Sequence, residues 1–149
     1  MACPFFLPTE KVEGGTWLHS SRLPLGAGWT GQCSAPGHEG ATPTDAELRD
    51  FCNMGYAAGC TRLPQERPCD AVRFSVARDN GSELFLWFVC ETGHRPTQHG
   101  TLQYDVSLDQ WISSHPEPRI QKMAQCYLQS YMFRRIRPAL AGFPSSTNP

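Results

Sequence analysis

The sequence predicts an α+β fold built from a loop-rich, Cys-bound N-terminal module, a three-stranded antiparallel meander and a C-terminal helix. Three observations carry this expectation. Glycine and proline punctuate the chain up to residue 41 so densely that no helical or strand period survives. Apolar residues alternate with polar ones between 72 and 106, the period of half-buried strands. One apolar stripe at helical spacing then runs from Ile120 to Tyr131. A length of 149 residues suits one ordinary domain with its own core. Residues 1–137 are therefore assigned to a single domain, comprising a Cys-rich metal module at 1–66, antiparallel strands at 70–112 and a helix at 116–137. Residues 138–149 are assigned to a flexible tail.

The N-terminal module needs something to order it, because a loop of that length inside a compact domain is uncommon. Trp17, Leu18, Leu23, Leu25 and Trp29 are its candidate apolar anchors, and Cys3 and Cys33 its candidate anchors through a metal. A first helix begins at Thr44, where Thr44 and Glu47 have the spacing of a capping box. Asp45 precedes Arg49 by four residues, the favourable orientation for a helical ion pair. Leu48, Phe51 and Cys52 share one face of this helix, and Gly55 is its expected stop. Val72, Phe74 and Val76 form the first strand of a hairpin; Asp79-Asn80-Gly81 turns it, and Leu84–Cys90 returns. A polar loop, Glu91–Gly100, leads to a third strand near Thr101–Val106. The last helix starts around Pro116, with Ser114 and Glu117 at cap spacing, and is expected to stop at Pro138. Arg134, Arg135 and Arg137 complement its C-terminal dipole.

The charge balance is nearly neutral, with 13 Lys+Arg against 14 Asp+Glu, which argues against a nucleic-acid partner. No apolar run approaches the roughly 20 residues of a spanning helix, and the N-terminal residues lack the pattern of a secretory signal. The expectation is a cytoplasmic protein that does not insert into membranes and works with a protein partner. In that compartment thiols stay reduced, so seven cysteines point to metal or redox work rather than to a disulfide framework.

No C-x-x-C pair occurs, which weakens a thioredoxin-like motif and the short knuckles of zinc ribbons. Cys3, Cys33, Cys52 and Cys60 instead sit in turn-forming surroundings, where glycine lets the chain approach a bulky group. Four thiolates converging from separated loops are a common way of holding an iron–sulfur cluster. Binding energy at such a site becomes folding energy, which would order the N-terminal module. The leading expectation is a [4Fe-4S] cluster on Cys3, Cys33, Cys52 and Cys60, in a small electron-transfer, sensory or structural subunit. Zinc on the same four residues, as a structural module for protein–protein contacts, is the alternative. The plainer reading of any one cysteine is a small buried hydrophobe.

The runs Cys3-Pro4-Phe5-Phe6, Leu23-Pro24-Leu25-Gly26, Gly31-x-Cys33 and Phe51-Cys52-Asn53-x-Gly55-Tyr56-Ala57-x-x-Cys60 resemble a group of bacterial hypothetical proteins with a four-cysteine pattern. They are similar, more loosely, to small bacterial domains of the form CP…C…C…C-P, although Thr61 follows Cys60 where such patterns often have proline. The resemblance covers about the first 65 residues. It implies that the four cysteines act as one set, and it implies no particular reaction.

Other residues carry weaker expectations. Cys69 is the reserve ligand should Cys3 not serve; His94, and with less reason His38, are further reserves or outer-sphere donors. Cys90, ending an apolar strand, is expected in the core, and Cys126 lies off the helical stripe with no assigned role. Cys90 with His94 or His99 could also be drawn as the thiol and base of a thiol-dependent enzyme. Against that stands the simpler reading of a hairpin loop whose histidines bond backbone groups. No catalytic residues are assigned, since no phosphate loop, GxSxG elbow or HExxH is present.

Overall fold

The computed structural model describes residues 1–12 and 22–146, with backbone alone over 136–146. Trp17 and Leu18, two of the expected anchors, lie outside the described residues. The elements are β1 (Phe6–Lys11), β2 (Trp29–Cys33), α1 (Asp45–Glu47), β3 (Ala71–Asp79), β4 (Glu83–Thr92), β5 (Arg95–Asp105), β6 (Gln110–Ser113) and α2 (Pro118–Ser146); a π-helical turn, Leu48–Cys52, follows α1.

The fold is mostly β, which corrects the expected α+β arrangement. β1 and β2 form a two-stranded antiparallel sheet inside the segment read as loops, and β3-β4-β5-β6 form a four-stranded antiparallel meander rather than a three-stranded one. The reason lies between residues 91 and 100. Gly93 and His94 both have positive φ (57° and 64°), the paired left-handed conformation of a two-residue hairpin turn. β4 therefore runs on to Thr92 and β5 starts at Arg95, with Thr92 paired to Arg95. Residues 95–99 are exposed, so this half of β5 shows no apolar alternation to read. β6 is only four residues long and three of them are exposed.

The expected turn at Asp79-Asn80-Gly81 is present, with Asn80 Oδ1 accepting from Glu83 N at 2.8 Å and Asp79 Oδ1 from Gly81 N at 2.9 Å. The Thr44–Glu47 capping box is also present. It starts only three α-helical residues before the chain widens into the π turn, whose defining bond runs from Asn53 N to Leu48 O at 3.1 Å.

One core joins the two sheets and α2. Phe6, Leu25 and Trp29 from the N-terminal module pack with Val72, Leu84, Leu86 and Leu102 of the meander and with Met123, Ala124 and Leu128 of α2. Cys126 and Ser130 are buried as well, so the inward face of α2 is wider than the expected stripe. Cys126 donates weakly to Pro8 O (3.8 Å), and Trp29 Nε1 donates to Ser130 Oγ (3.3 Å). Both bonds hold α2 against the small sheet, which makes Cys126 a packing residue.

α2 also corrects the expected boundaries, since its backbone continues past Pro138 to Ser146. Its start is organised by His115 and Gln121 rather than Ser114: Gln121 Oε1 accepts from His115 N, and His115 Nδ1 accepts from Glu117 N. Arg134 donates to Gly26 O at 2.7 Å and Arg135 to Gly81 O at 3.0 Å, so two of the basic residues tie down loops instead of closing the helix.

Candidate metal centre

Cys3, Cys33, Cys52 and Cys60 arrive from four segments and line one cavity. Cys3 lies in the turn that feeds β1, where Phe6 N donates to Cys3 O (3.1 Å) and Cys3 N donates to Cys52 O (3.0 Å). The second bond joins the first segment directly to the π turn. Cys33 ends β2, and its pairing with Phe6 brings it to the same end of the small sheet as Cys3. Gly31 makes that pairing possible, because any Cβ there would collide with the backbone carbonyl of Leu7. Cys52 closes the π turn. Cys60 sits in a loop folded on itself by Cys60 N to Ala57 O at 2.9 Å and Leu63 N to Cys60 O at 3.2 Å.

Asn53 locks this arrangement, a role that its place in the Cys52-Asn53-x-Gly55 run did not disclose. It is fully buried; Nδ2 donates to Trp29 O (3.0 Å) and Leu48 O (2.9 Å), while Oδ1 accepts from Trp29 N (3.1 Å). The start of β2 and the π turn are thus pinned together by one side chain. Gly55, as expected of a stop, has φ +72°, and a Cβ there would meet Ala71 and the Met1 carbonyl. Tyr56 follows at φ +52° and reaches the meander, donating to Glu91 Oε1 (2.7 Å) and accepting from His94 N (3.0 Å).

The cavity walls are apolar apart from the thiols and Arg62, with Phe5, Phe6, Phe51, Ala57 and Leu63 among them. Burial pushes the Cys3 thiol up to about 11, with Cys33 and Cys60 adding to the shift and the amides of Phe5 and Phe6 opposing it. Burial likewise pushes Cys52 up to about 12, followed by the neighbouring Cys3, Cys60 and Cys33 and then Glu47. These two groups are neutral thiols near pH 7, and thiolates there would need a cation to compensate them. Amide donors to sulfur are in place: the Phe5 and Phe6 amides at Cys3, and Ala35 N at 3.4 Å from Cys33 Sγ. Arg62 is already held by Glu47 at 2.8 Å.

Two geometric facts bear on what could fit. Among the described residues, no three or more His, Cys, Asp or Glu side chains are grouped as they would be around one metal ion. Free space within the cavity is about 20 Å³, room for roughly one water.

The chain matches no family model, no curated protein and no solved structure. What its site can do rests on its own residues.

The reserve residues lie elsewhere. Cys69 is buried beside Cys90. His38 is exposed in the loop between Cys33 and Ala41, where it makes backbone turn bonds with Ala35 and Ala41. His94 stacks on Tyr56 with ring centroids 4.1 Å apart and lines a separate cleft with Arg67 and Asp70. The thiol–histidine pair drawn from sequence is not assembled. Cys90 contacts Gln98 Oε1 at 3.6 Å, and His99, paired with Val89, packs on Trp87 across the opposite face of the sheet. Among the described residues, no helix is long and apolar enough to cross a membrane.

Proposed function

We propose that the four-thiol cavity binds a [4Fe-4S] cluster through Cys3, Cys33, Cys52 and Cys60, and that the protein is a small electron-transfer, sensory or structural subunit. The supporting observation is that four cysteines far apart in sequence line one apolar cavity, while the other three are buried elsewhere. The resemblance of the CPFF, GxC and CNxGYAxxC runs to a bacterial four-cysteine pattern points the same way. A mononuclear zinc site would draw four sulfurs to about 2.3 Å from one point, hence to about 3.8 Å from each other. Cluster ligands instead each bind their own iron and stand further apart.

When bound, such a cluster supplies one-electron transfer, with a potential set by hydrogen bonds to sulfur and by burial. The chain's contribution is to exclude water with Phe5, Phe6 and Phe51 and to offer amide donors to the sulfurs. Work of this kind goes with a protein partner and with the cytoplasm, where the thiols stay reduced. Structural zinc is favoured by one observation, the small free space between the thiols.

The test is elemental analysis for iron, zinc and sulfide on anaerobically purified protein. Brown protein with iron and sulfide in equal amounts is expected. Single Cys3, Cys33, Cys52 or Cys60→Ser variants should lose iron, and Cys126→Ser should retain it. Colourless protein with stoichiometric zinc supports the structural module, and folded protein free of metal overturns both readings.

A further inference from the structure

Ala57 and Leu63, on either side of Cys60, line the thiol cavity and also a second cleft, which opens beside the turn at Gly93 and His94. This cleft holds about 310 Å³ of free space, the size of a small-molecule site. Two bridges fix its polar side chains. Asp70, just before β3, accepts from Arg67 Nε through Oδ1 (2.7 Å) and from Gly93 N through Oδ2 (2.8 Å). The Gly93 amide and then the Arg67 guanidinium hold the Asp70 carboxyl below the ordinary carboxylate range, so it stays an anion that keeps both groups in place. Tyr56 accepts from His94 N at 3.0 Å and stacks on the His94 ring, with centroids 4.1 Å apart and planes 9° from parallel. Tyr56 and His94 both have positive φ, 52° and 64°, which a residue other than glycine keeps only where its surroundings impose it. The outer donors of this assembly are unused. Arg67 Nη1 donates to Pro64 O and Gln65 O, whereas Nη2 has no partner among the described residues. The His94 ring makes no hydrogen bond among the described residues either.

We propose that this cleft binds a small organic carboxylate, whose oxygens accept from Arg67 and His94 and whose apolar body lies against Ala57 and Leu63. The unused groups are donors, so the ligand must bring acceptors, and a carboxylate suits a guanidinium edge. Asp70 does not oppose it, because both of its oxygens are already engaged and its charge is matched by Arg67. Recognition therefore rests on directed hydrogen bonds and on the apolar wall, as in sites where a few placed polar groups orient a largely apolar ligand. Asp70 and Tyr56 are positioning residues: the first aligns Arg67 with the Gly93–His94 turn, and the second supports the imidazole from below. The site is separate from the thiols and does not rest on what they bind.

The experiment titrates the full chain, as purified, with benzoate and with its uncharged counterpart benzamide, following backbone amides by NMR. Benzoate is expected to give saturable shifts at Gly93, His94 and residues 57–70, and to bind about tenfold more tightly than benzamide, the value of one charge-assisted hydrogen bond. Acetate, a carboxylate without the apolar body, should bind the same residues more weakly. Arg67→Gln should weaken benzoate about tenfold. His94→Asn, which tolerates the left-handed backbone, should weaken it less. Arg78→Gln, which removes an exposed guanidinium near Phe85, should leave it unchanged. Equal affinity for benzoate and benzamide, shifts scattered over exposed lysines and arginines, or no saturable shift would each overturn the proposal, as would an Arg78→Gln loss equal to that of Arg67→Gln. The benzoate–benzamide comparison uses the wild-type chain, so it needs no variant to fold, and its outcome is separate from the metal analysis.

Discussion

The meander and the N-terminal module use the same backbone pairing and are held in different ways. In the meander, successive strands are joined by short turns, and Leu84, Leu86 and Leu102 are buried from one strand to the next. The module has a five-residue strand paired with a six-residue one, a three-residue helix and long turns between them. Beyond the share of the core that Phe6, Leu25 and Trp29 supply, it is held by a few cross-links: Cys3 N to Cys52 O, the three bonds of Asn53, and Tyr56 reaching across to Glu91. Apolar area stabilises the meander without any ligand, whereas the module has four thiols lining one cavity and, on the proposed function, would gain most from metal binding.

The largest effect should come from the shared core. Leu86→Ala, at a fully buried position of β4, leaves a cavity that costs about 2–5 kcal/mol. Because one core joins both regions, denaturant unfolding followed by tryptophan fluorescence and by metal release should shift together. If metal were released at its wild-type midpoint while the sheet melted early, the two regions would be independent units.

Asn53→Ala should come next and should be felt unevenly. It leaves the Trp29 N–H and carbonyl without their side-chain partner, and unsatisfied buried groups cost about 1–3 kcal/mol. The meander has no bond to Asn53, so its amide exchange should remain slow while the β1–β2 pair and the π turn exchange faster. Uniform acceleration across both sheets would contradict the asymmetry.

These two residues also mark what the sequence disclosed. Leu86 was legible because a strand with one buried face alternates, and the turn at Asn80 and the Thr44–Glu47 cap carry local chemistry that needs no tertiary context. The four cysteines of the cavity were legible as a set through their turn-forming neighbours. Asn53 was not, because its role depends on Trp29 lying beside it, 24 residues away. The first half of β5 was invisible for a different reason: exposed on both faces, it has no hydrophobic pattern, and only the positive φ of Gly93 and His94 reveals the tight turn. The π turn follows from Asn53 N reaching back to Leu48, a choice that capping and periodicity do not encode.

Alkaline pH should separate the regions without a mutation. Cys3 and Cys52 have folded-state values near 11 and 12, above an ordinary thiol value of 9.0. A raised value means that the folded, metal-free chain favours the neutral thiol. That contribution is complete below about pH 9 and disappears as pH rises through 11 to 12. Metal-free protein should therefore lose denaturant resistance over this window, with the module's amides opening first. On the proposed function, metal binding would displace those protons, so metal affinity should rise with pH from neutrality upward. A metal-free denaturation midpoint that stays flat from pH 9 to 12 would show that the thiols are not desolvated together.

The smallest effect concerns the side-chain bridge from Tyr56 of the cysteine loop to the meander's hairpin. Tyr56→Phe removes the hydroxyl that donates to Glu91 and accepts from His94 N, and leaves the ring stacked on His94. Burial comes first among the influences that push the Tyr56 hydroxyl up to about 12, followed by the Glu91 carboxylate, so the group is a neutral donor throughout the physiological range. Losing a hydrogen bond of this kind costs about 1 kcal/mol or slightly more, because its acceptor is charged. Glu91 keeps Arg73 at 3.5 Å as a partner, so the meander should retain most of its stability. The loop carrying Cys60 keeps the backbone bond from Tyr56 N to Asp70 O at 3.2 Å and the ring stack, and loses its side-chain hydrogen bonds to Glu91 and His94. Metal release to a chelator should accelerate in Tyr56→Phe while the denaturant midpoint of the metal-free protein moves little. The opposite pattern, a shifted midpoint with unchanged release, would mean that Tyr56 supports the sheet and not the cysteine loop.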